Sequence, residues 1–237
     1  MIAQVECAKN VLLQQRTEPQ GLVKISCPLL MMRFQIRELI NHFLKAYPKV
    51  EIELELTSRR VDVLYDDIDI AIRTNFEMTE DSSLIVRDVI KTTHCLVAAP
   101  EVLQGKLIEN YQQLTDFPCI GLGNQKQDYV WVLRHHENNR HVDIRFNPRM
   151  RCNDLAGVYY AACDGLGIAD LPYLTVEEDI KQGKLIHILP EWESNEGMVQ
   201  LVYASRKGQR LVVEKLIETL VGGMRSLGNM KKGYRLI

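Results

Sequence analysis

The chain has 237 residues, 46% of them hydrophobic and 25% charged, with a mean hydropathy of -0.15; these figures exclude a disordered or collagen-like chain and suit a folded protein with one large domain or two small ones. Lys and Arg number 29 against 31 Asp and Glu, for a net charge of -2 and a pI near 6.3. A protein that grips DNA mainly by neutralising phosphates normally carries a basic footprint, and this composition has none.

Residues 1–16 place Ile2, Val5, Ala8, Val11 and Leu12 at helical spacing, and the run Thr17 to Gly21 breaks the pattern. Gly21 to Ser26 reads as a short strand that ends at Ser26-Cys27-Pro28. The period then switches: Ile36, Leu39, Ile40, Phe43, Leu44 and Tyr47 form one face of an amphipathic helix that Pro48 stops. Glu51 to Leu56 alternates charged and aliphatic residues, as a strand with one dry face does. A short helical segment is expected over Arg60 to Tyr65, then a buried strand over Ile68 to Ile72. Strand and helix alternating within so few residues is the signature of βαβ units and a parallel sheet.

Beyond Asp81, a segment Leu84–Ile90 leads to a strand at His94 to Ala99, closed by Pro100. Residues 101–117 are short, broken and polar. Strands are expected at Pro118–Gly123, Tyr129–Leu133 and Val142–Phe146, the last two around a polar turn. Asn153 is expected to cap a helix carrying Leu155, Val158 and Ala162 and ending at Gly165. A strand at Ile168–Leu171, a helix ended by Gly183, strands at Leu185–Leu189 and Val199–Ala204, and a long helix with Val213, Leu216, Ile217, Leu220 and Met224 complete the pass. Residues 228–237 carry no readable pattern.

No apolar run approaches the roughly 18 residues of a membrane span, and the N-terminus lacks the charged start, apolar stretch and cleavage site of a secretory signal. The six cysteines, Cys7, Cys27, Cys95, Cys119, Cys152 and Cys163, form no Cys-x-x-Cys pair and no zinc spacing. They read as free thiols in a reducing cytoplasm. Gly165-Leu166-Gly167 follows a helix and lacks a third glycine, so a helix C-cap explains it better than a dinucleotide loop. Gly121-Leu122-Gly123 follows a strand, but no capped helix opens after it. His135, His136 and His141 lie in a polar turn, where a solvated loop is the simpler reading than a metal site. Asp66, Asp67 and Asp69 likewise read as a solvated connection. The motifs of serine hydrolases, zinc proteases and P-loop proteins are missing. Ser26-Cys27-Pro28 is more suggestive. It joins a first strand to a first helix at the carboxyl edge of a parallel sheet, where α/β folds bind ligands and a helix N-terminus favours an anion; a plain capping turn is the alternative.

In order along the chain, Pro19-Gln20-Gly21-Leu22 through Ser26 and Pro28, Phe43-Leu44-Lys45-Ala46-Tyr47-Pro48, Arg60-Val61-Asp62-Val63, Asp67-Ile68-Asp69-Ile70-Ala71-Ile72-Arg73, Asp81-Ser82-Ser83-Leu84, Val97-Ala98-Ala99-Pro100, Gly165-Leu166-Gly167-Ile168-Ala169 with Leu171-Pro172, and Gly183-Lys184-Leu185 form a series of short motifs. This series, over roughly residues 18–226, resembles the effector-binding (regulatory) domain of LysR-type bacterial transcriptional regulators. The resemblance implies an α/β, type II periplasmic-binding-protein-like fold: two α/β subdomains around a cleft, joined by two crossover strands near 98–100 and 198–203. It divides the chain into a remnant of a linker helix (1–17), subdomain I (18–98 with 200–227), subdomain II (99–199) and an unread tail (228–237).

By the same resemblance, a small-molecule effector, often an organic acid, would be met by Ser26, Cys27, Leu29 and Leu30 at the first helix, by Thr57 and Ser58 after the second strand, and by Leu122 and Asn153 in the other subdomain. Arg73, after the third strand, would pair with a carboxylate through its planar fork. Cys27 and the run Leu29-Leu30-Met31-Met32 make the first edge less polar than a simple anion site. Catalytic residues, metal and cofactor are not implied. The expected partners are the effector, promoter DNA through an N-terminal helix-turn-helix region absent from this sequence, and further copies of the chain as a homodimer or homotetramer, in the cytoplasm and away from membranes. The rival readings are a solute-binding protein of a transporter, which would need an export signal, and a small α/β enzyme, which would need a nucleophile and base.

Overall fold

The computed structural model describes residues 18–75, 84–124, 128–194, 196–204 and 210–230. The expected helix over 1–16, Cys7, and the motif residues Asp81-Ser82-Ser83 lie outside the described residues. The chain forms two compact units. The first contains the described residues up to Arg73, the start of the long central strand as far as Val89, and Gln200–Leu227; the bulk of the second is Ile90–Val199.

In the first unit, β1 (Gly21–Cys27) runs parallel to β2 (Val50–Leu56), in register from Gly21 opposite Val50 to Cys27 opposite Leu56. It also runs parallel to β3 (Ile70–Asn75), with Ser26 opposite Ala71. The strand order is β2-β1-β3, followed by β12 (Glu196–Ala204) and β4 (Leu84–Ala98). Between β1 and β2 the chain forms α1 (Leu29–Met31), a π-helical turn (Met32–Ile36) and α2 (Arg37–Ala46). The predicted amphipathic face is real: Ile36, Ile40 and Phe43 are buried, and the Phe43 ring lies 4.8 Å from that of Tyr47. The last helix, α6 (Leu211–Met230), buries Val213, Leu216, Ile217, Leu220 and Met224. Gly223 lets it approach α2, since a Cβ there would collide with the side chain of Leu39.

Two local expectations fail in this unit. Arg60 to Tyr65 is not helical; the chain makes a turn over residues 63–67. The Asp62 carboxylate accepts from the amides of Leu64 (2.9 Å) and Tyr65 (3.2 Å), and the Asp66 carboxylate from the amide of Asp62 (3.0 Å). Aspartates that satisfy nearby amides in this way compete with a helix. Meanwhile Val61 and Val63 are drawn into a cluster with Ile68, Ala71 and Val202. Likewise Leu84–Ile90 is not a separate segment but the first half of the 15-residue strand β4, whose Ile, Val and Thr residues favour a strand. Asp66 and Asp67 are exposed, as a solvated connection requires, and the three carboxylates meet cations there: Asp66 meets Arg59, Asp67 meets Lys24 and Asp69 meets Arg210.

The chain passes from the first unit to the second within β4, between Val89 and Ile90, and returns within β12, between Val199 and Gln200; the boundary expected at residue 98 is the end of β4. In the second unit the later part of β4 pairs antiparallel with β9 (Ala169–Pro172) and β10 (Ile186–Ile188). There β5 (Ile120–Leu122) runs parallel to β8 (Met150–Cys152), and Cys119 makes a parallel bridge to Ile168. A three-stranded sheet joins β11 (Trp192–Glu193), β6 (Val130–His135) and β7 (His141–Arg145). Helices α3 (Pro100–Leu103), α4 (Leu155–Cys163) and α5 (Tyr173–Lys181) complete the unit. Its core includes Leu96, Leu114, Ile120, Leu133, Ile168 and Leu171. Gly165 ends α4 in the left-handed region at φ +71°, as a helix C-cap requires. The cap of α4 is Asp154, whose side chain accepts from the amide of Ala156 at 2.8 Å; the expectation that Asn153 is the cap is corrected by one residue.

Candidate functional site

Three parallel strands of the first unit end together. Ser26 lies opposite both Glu55 of β2 and Ala71 of β3, so these three side chains share one face of the sheet, and Arg73, two residues after Ala71, shares it too. The ladder continues past β2, for the Thr57 amide donates to the Cys27 carbonyl at 3.0 Å. This brings Ser26, Cys27, Thr57 and Arg73 to one carboxyl edge, the place where α/β sheets take ligands. The Pro28 carbonyl accepts from the Met32 amide, which opens the first helical turn there.

The members of this edge differ in what they can offer. The Ser26 side chain is buried, and Cys27 has no exposed surface. Burial pushes the Cys27 thiol up to about 12, so it is a neutral apolar group at physiological pH. Leu30 is buried, whereas Leu29 is 43% exposed. Thr57 is half-buried and Ser58 exposed; the Thr57 hydroxyl accepts from the Arg59 amide at 3.2 Å. Arg59 is committed to the fold, through Glu55 at 2.9 Å and Asp66 at 2.8 Å. For Arg73, Nε is enclosed without an acceptor among the described residues, and burial first, then the charge of Arg60, hold its guanidinium below the ordinary arginine value. Arg60 opens one of the family motifs but was not expected at the site. Its signal is the run Thr57-Ser58-Arg59-Arg60, a polar and doubly basic stretch directly after an alternating strand.

The second unit has a similar edge of its own. Leu122, 42% exposed, ends β5, and Gly123 donates its amide to the Cys152 carbonyl of β8 at 2.7 Å. Asn153 is exposed and directly precedes the Asp154 cap. Tyr129 packs so closely over Gly121 that a Cβ there would strike its ring, and its hydroxyl donates to the Asn124 carbonyl at 2.9 Å. Arg151 lies over the same ring, 5.7 Å from its centre. Tyr129 thus forms a fixed aromatic wall over Gly121 and Arg151, the residues one before Leu122 and two before Asn153, which the sequence does not announce.

A buried Ser-Asp-His group also occurs in this unit. The Ser194 hydroxyl donates to Asp170 Oδ2 at 2.8 Å, and His94 Nδ1 lies 3.5 Å from the same oxygen. The carboxylate stands between serine and histidine, whereas an activated serine needs the imidazole as its direct partner. His135 and His136 stack at 5.6 Å, and His135 meets the Trp192 ring edge-on at 5.0 Å. Among the described residues, no group of three or more His, Cys, Asp or Glu side chains could hold a metal ion, and no helix is long and apolar enough to cross a membrane.

Residues 16–225 match the family described as the LysR substrate binding domain. The HTH-type transcriptional regulator PtxR of Pseudomonas aeruginosa is 24% identical over 221 residues, covering 93% of this chain and 70% of that protein. The probable HTH-type transcriptional regulator LtrA of Klebsiella pneumoniae is 30% identical, covering 87% and 68%. Among solved structures, the regulatory domain of AphB from Vibrio vulnificus is 26% identical and superposes with a TM-score of 0.69, covering 86% of this chain and 98% of that one. CrgA of Neisseria meningitidis, at 21% identity and a TM-score of 0.78 over 94% of this chain and 75% of that one, shares the fold. PtxR and LtrA are both named as HTH-type transcriptional regulators. The chain therefore belongs to the LysR substrate-binding domains, the effector-sensing part of LysR-type transcriptional regulators, with their type II periplasmic-binding-protein-like α/β fold.

Proposed function

We propose that this chain senses a small organic acid and has no catalytic activity of its own. The observation that carries the reading is the meeting of Ser26, Thr57 and Arg73 at the carboxyl edge of β1, β2 and β3. There two hydroxyls and a guanidinium can bind a polar ligand, while Leu29 gives an apolar contact. Ser58 adds a hydroxyl outside this group, Cys27 and Leu30 back the edge from inside, and Leu122 and Asn153 offer contacts at the edge of the second unit. Ligand binding would shift the population of protein conformations and so change promoter binding by a helix-turn-helix region of the kind the relatives are named for. The protein acts in the cytoplasm as a homodimer or homotetramer.

Thermal unfolding with a panel of small carboxylates, amino acids and sugars tests this reading. A ligand at about 100 times its Kd adds about 2.7 kcal/mol, which raises Tm by roughly 5–10 °C for a chain of this size. At least one organic acid is expected to do so and to be recovered chemically unchanged. A panel in which no compound raises Tm, or in which the stabilising compound is turned over, contradicts it.

A further inference from the structure

We propose that Arg59 is a positioning residue for the effector edge: its clasp on Glu55 and Asp66 holds the segment 57–66 in place and masks the Glu55 charge from an incoming acid. The inference rests on the reading of this edge as the effector site and adds a residue that acts on it through its neighbours.

The geometry begins at the end of β2. Glu55 shares a sheet face with Ser26, Ala71 and Arg73, so a bare carboxylate there would stand on the face offered to the ligand. The chain then leaves the strand. The Thr57 amide donates to the Cys27 carbonyl at 3.0 Å, and the Thr57 hydroxyl accepts from the Arg59 amide at 3.2 Å. From this point the Arg59 guanidinium reaches both ways: Nη2 donates to Glu55 Oε1 at 2.9 Å and Nη1 to Asp66 Oδ2 at 2.8 Å. The same Asp66 oxygen accepts from the Asp62 amide at 3.0 Å, and the Asp66 amide donates back to the Asp62 carbonyl at 2.8 Å. Val61 and Val63 are buried in a cluster with Ala71. One side chain thus joins the strand that leads into Thr57 to the turn that closes the segment.

The charges explain why this position takes an arginine. Glu55 and Asp66 bind the same guanidinium, and without it the two carboxylates would repel one another across the segment. The guanidinium first, then the Asp62 amide, hold the Asp66 carboxyl below the ordinary carboxylate range. A lysine offers one ammonium in place of the planar fork, and so cannot serve both carboxylates in the same geometry. Exposed ion pairs contribute little to global stability, so the loss of Arg59 should register in the order and charge of this segment rather than in the fold.

Amide hydrogen exchange of the 237-residue chain, with isothermal titration of acetate, succinate, citrate and benzoate, tests the clasp. Arg59→Gln should speed exchange at the hydrogen-bonded amides of Asp62, Leu64, Tyr65 and Asp66 by about fivefold or more, with β1 and α6 unchanged. Its Tm without ligand should stay within about 4 °C of the parent. The tightest acid should bind Arg59→Gln about fivefold or more weakly, and added salt, which screens the bared carboxylates, should narrow the gap. Glu55→Gln placed in Arg59→Gln should recover part of the affinity, and Arg59→Lys should bind better than Arg59→Gln. Unchanged exchange over 57–66 in Arg59→Gln overturns the clasp. Unchanged affinity, or a double variant that binds no better than Arg59→Gln, overturns its action on the site while leaving the effector reading in place. If none of the four acids binds the parent chain, the acid reading of the edge fails, and exchange alone decides the clasp.

Discussion

Thr57 divides its polar groups between the fold and the site. Its amide holds the ladder to Cys27, and its hydroxyl accepts from the Arg59 amide in an exposed turn. Thr57→Ala keeps the first bond and frees the Arg59 amide to water, so unfolding stability should stay within about 0.5 kcal/mol. Effector affinity should fall about tenfold or more, as expected when a hydrogen bond to a charged group is lost. Calorimetry on the variant checks both: unchanged affinity removes Thr57 from the site, and a large loss of stability makes it a structural residue. Cys27 is a different case. With no exposed surface and a thiol pushed up to about 12, it is the closed floor of the edge rather than a reactive group.

At the scale of elements, helix α4 gives a paired test. Asp154 is its cap and Asn153 is not. Asp154→Ala should therefore cost about 1 kcal/mol of stability, whereas Asn153→Ala should change stability by less than about 0.5 kcal/mol. Denaturant unfolding of the two variants separates them, and equal losses would contradict the assignment. The same helix shows why sequence placed elements better than their ends. The apolar spacing of Val158 and Ala162 and the break at Gly165 were legible, but Asn153 and Asp154 are both good caps, and only the backbone geometry chooses between them. The amphipathic helix stopped by Pro48 and the alternating strand β2 were legible for the same reason: each exposes a period. Residues 60–65 were not, because side-chain hydrogen bonds of Asp62 and Asp66 override local propensity there. The candidate site was legible only where it sits at strand ends. The packing of Tyr129 over Gly121 and Arg151 was not legible, because contacts made through burial, unlike spacing, leave no periodic trace in the chain.

For the whole molecule, buried weak acids set the alkaline limit of stability. Burial pushes the Cys27 and Cys119 thiols up to about 12 and moves Cys95 and Tyr159 upward as well. In the unfolded chain, thiols ionise near 8.5 and tyrosines near 10. The folded state thus keeps protons that the unfolded state gives up; its advantage is whole below about pH 8.5 and is lost as pH rises toward 12. Calorimetric scans should show a lower Tm at pH 10.5 than at pH 8, and an equal or higher Tm would contradict that. A small acid is proposed to bind at the carboxyl edge of the first unit's parallel strands. Amide chemical-shift mapping with the stabilising acid from the thermal panel tests it most directly. The largest shifts are expected at residues 26–30, 57–60 and 71–73. Large shifts confined to other parts of the chain, with those three stretches unmoved, would contradict it.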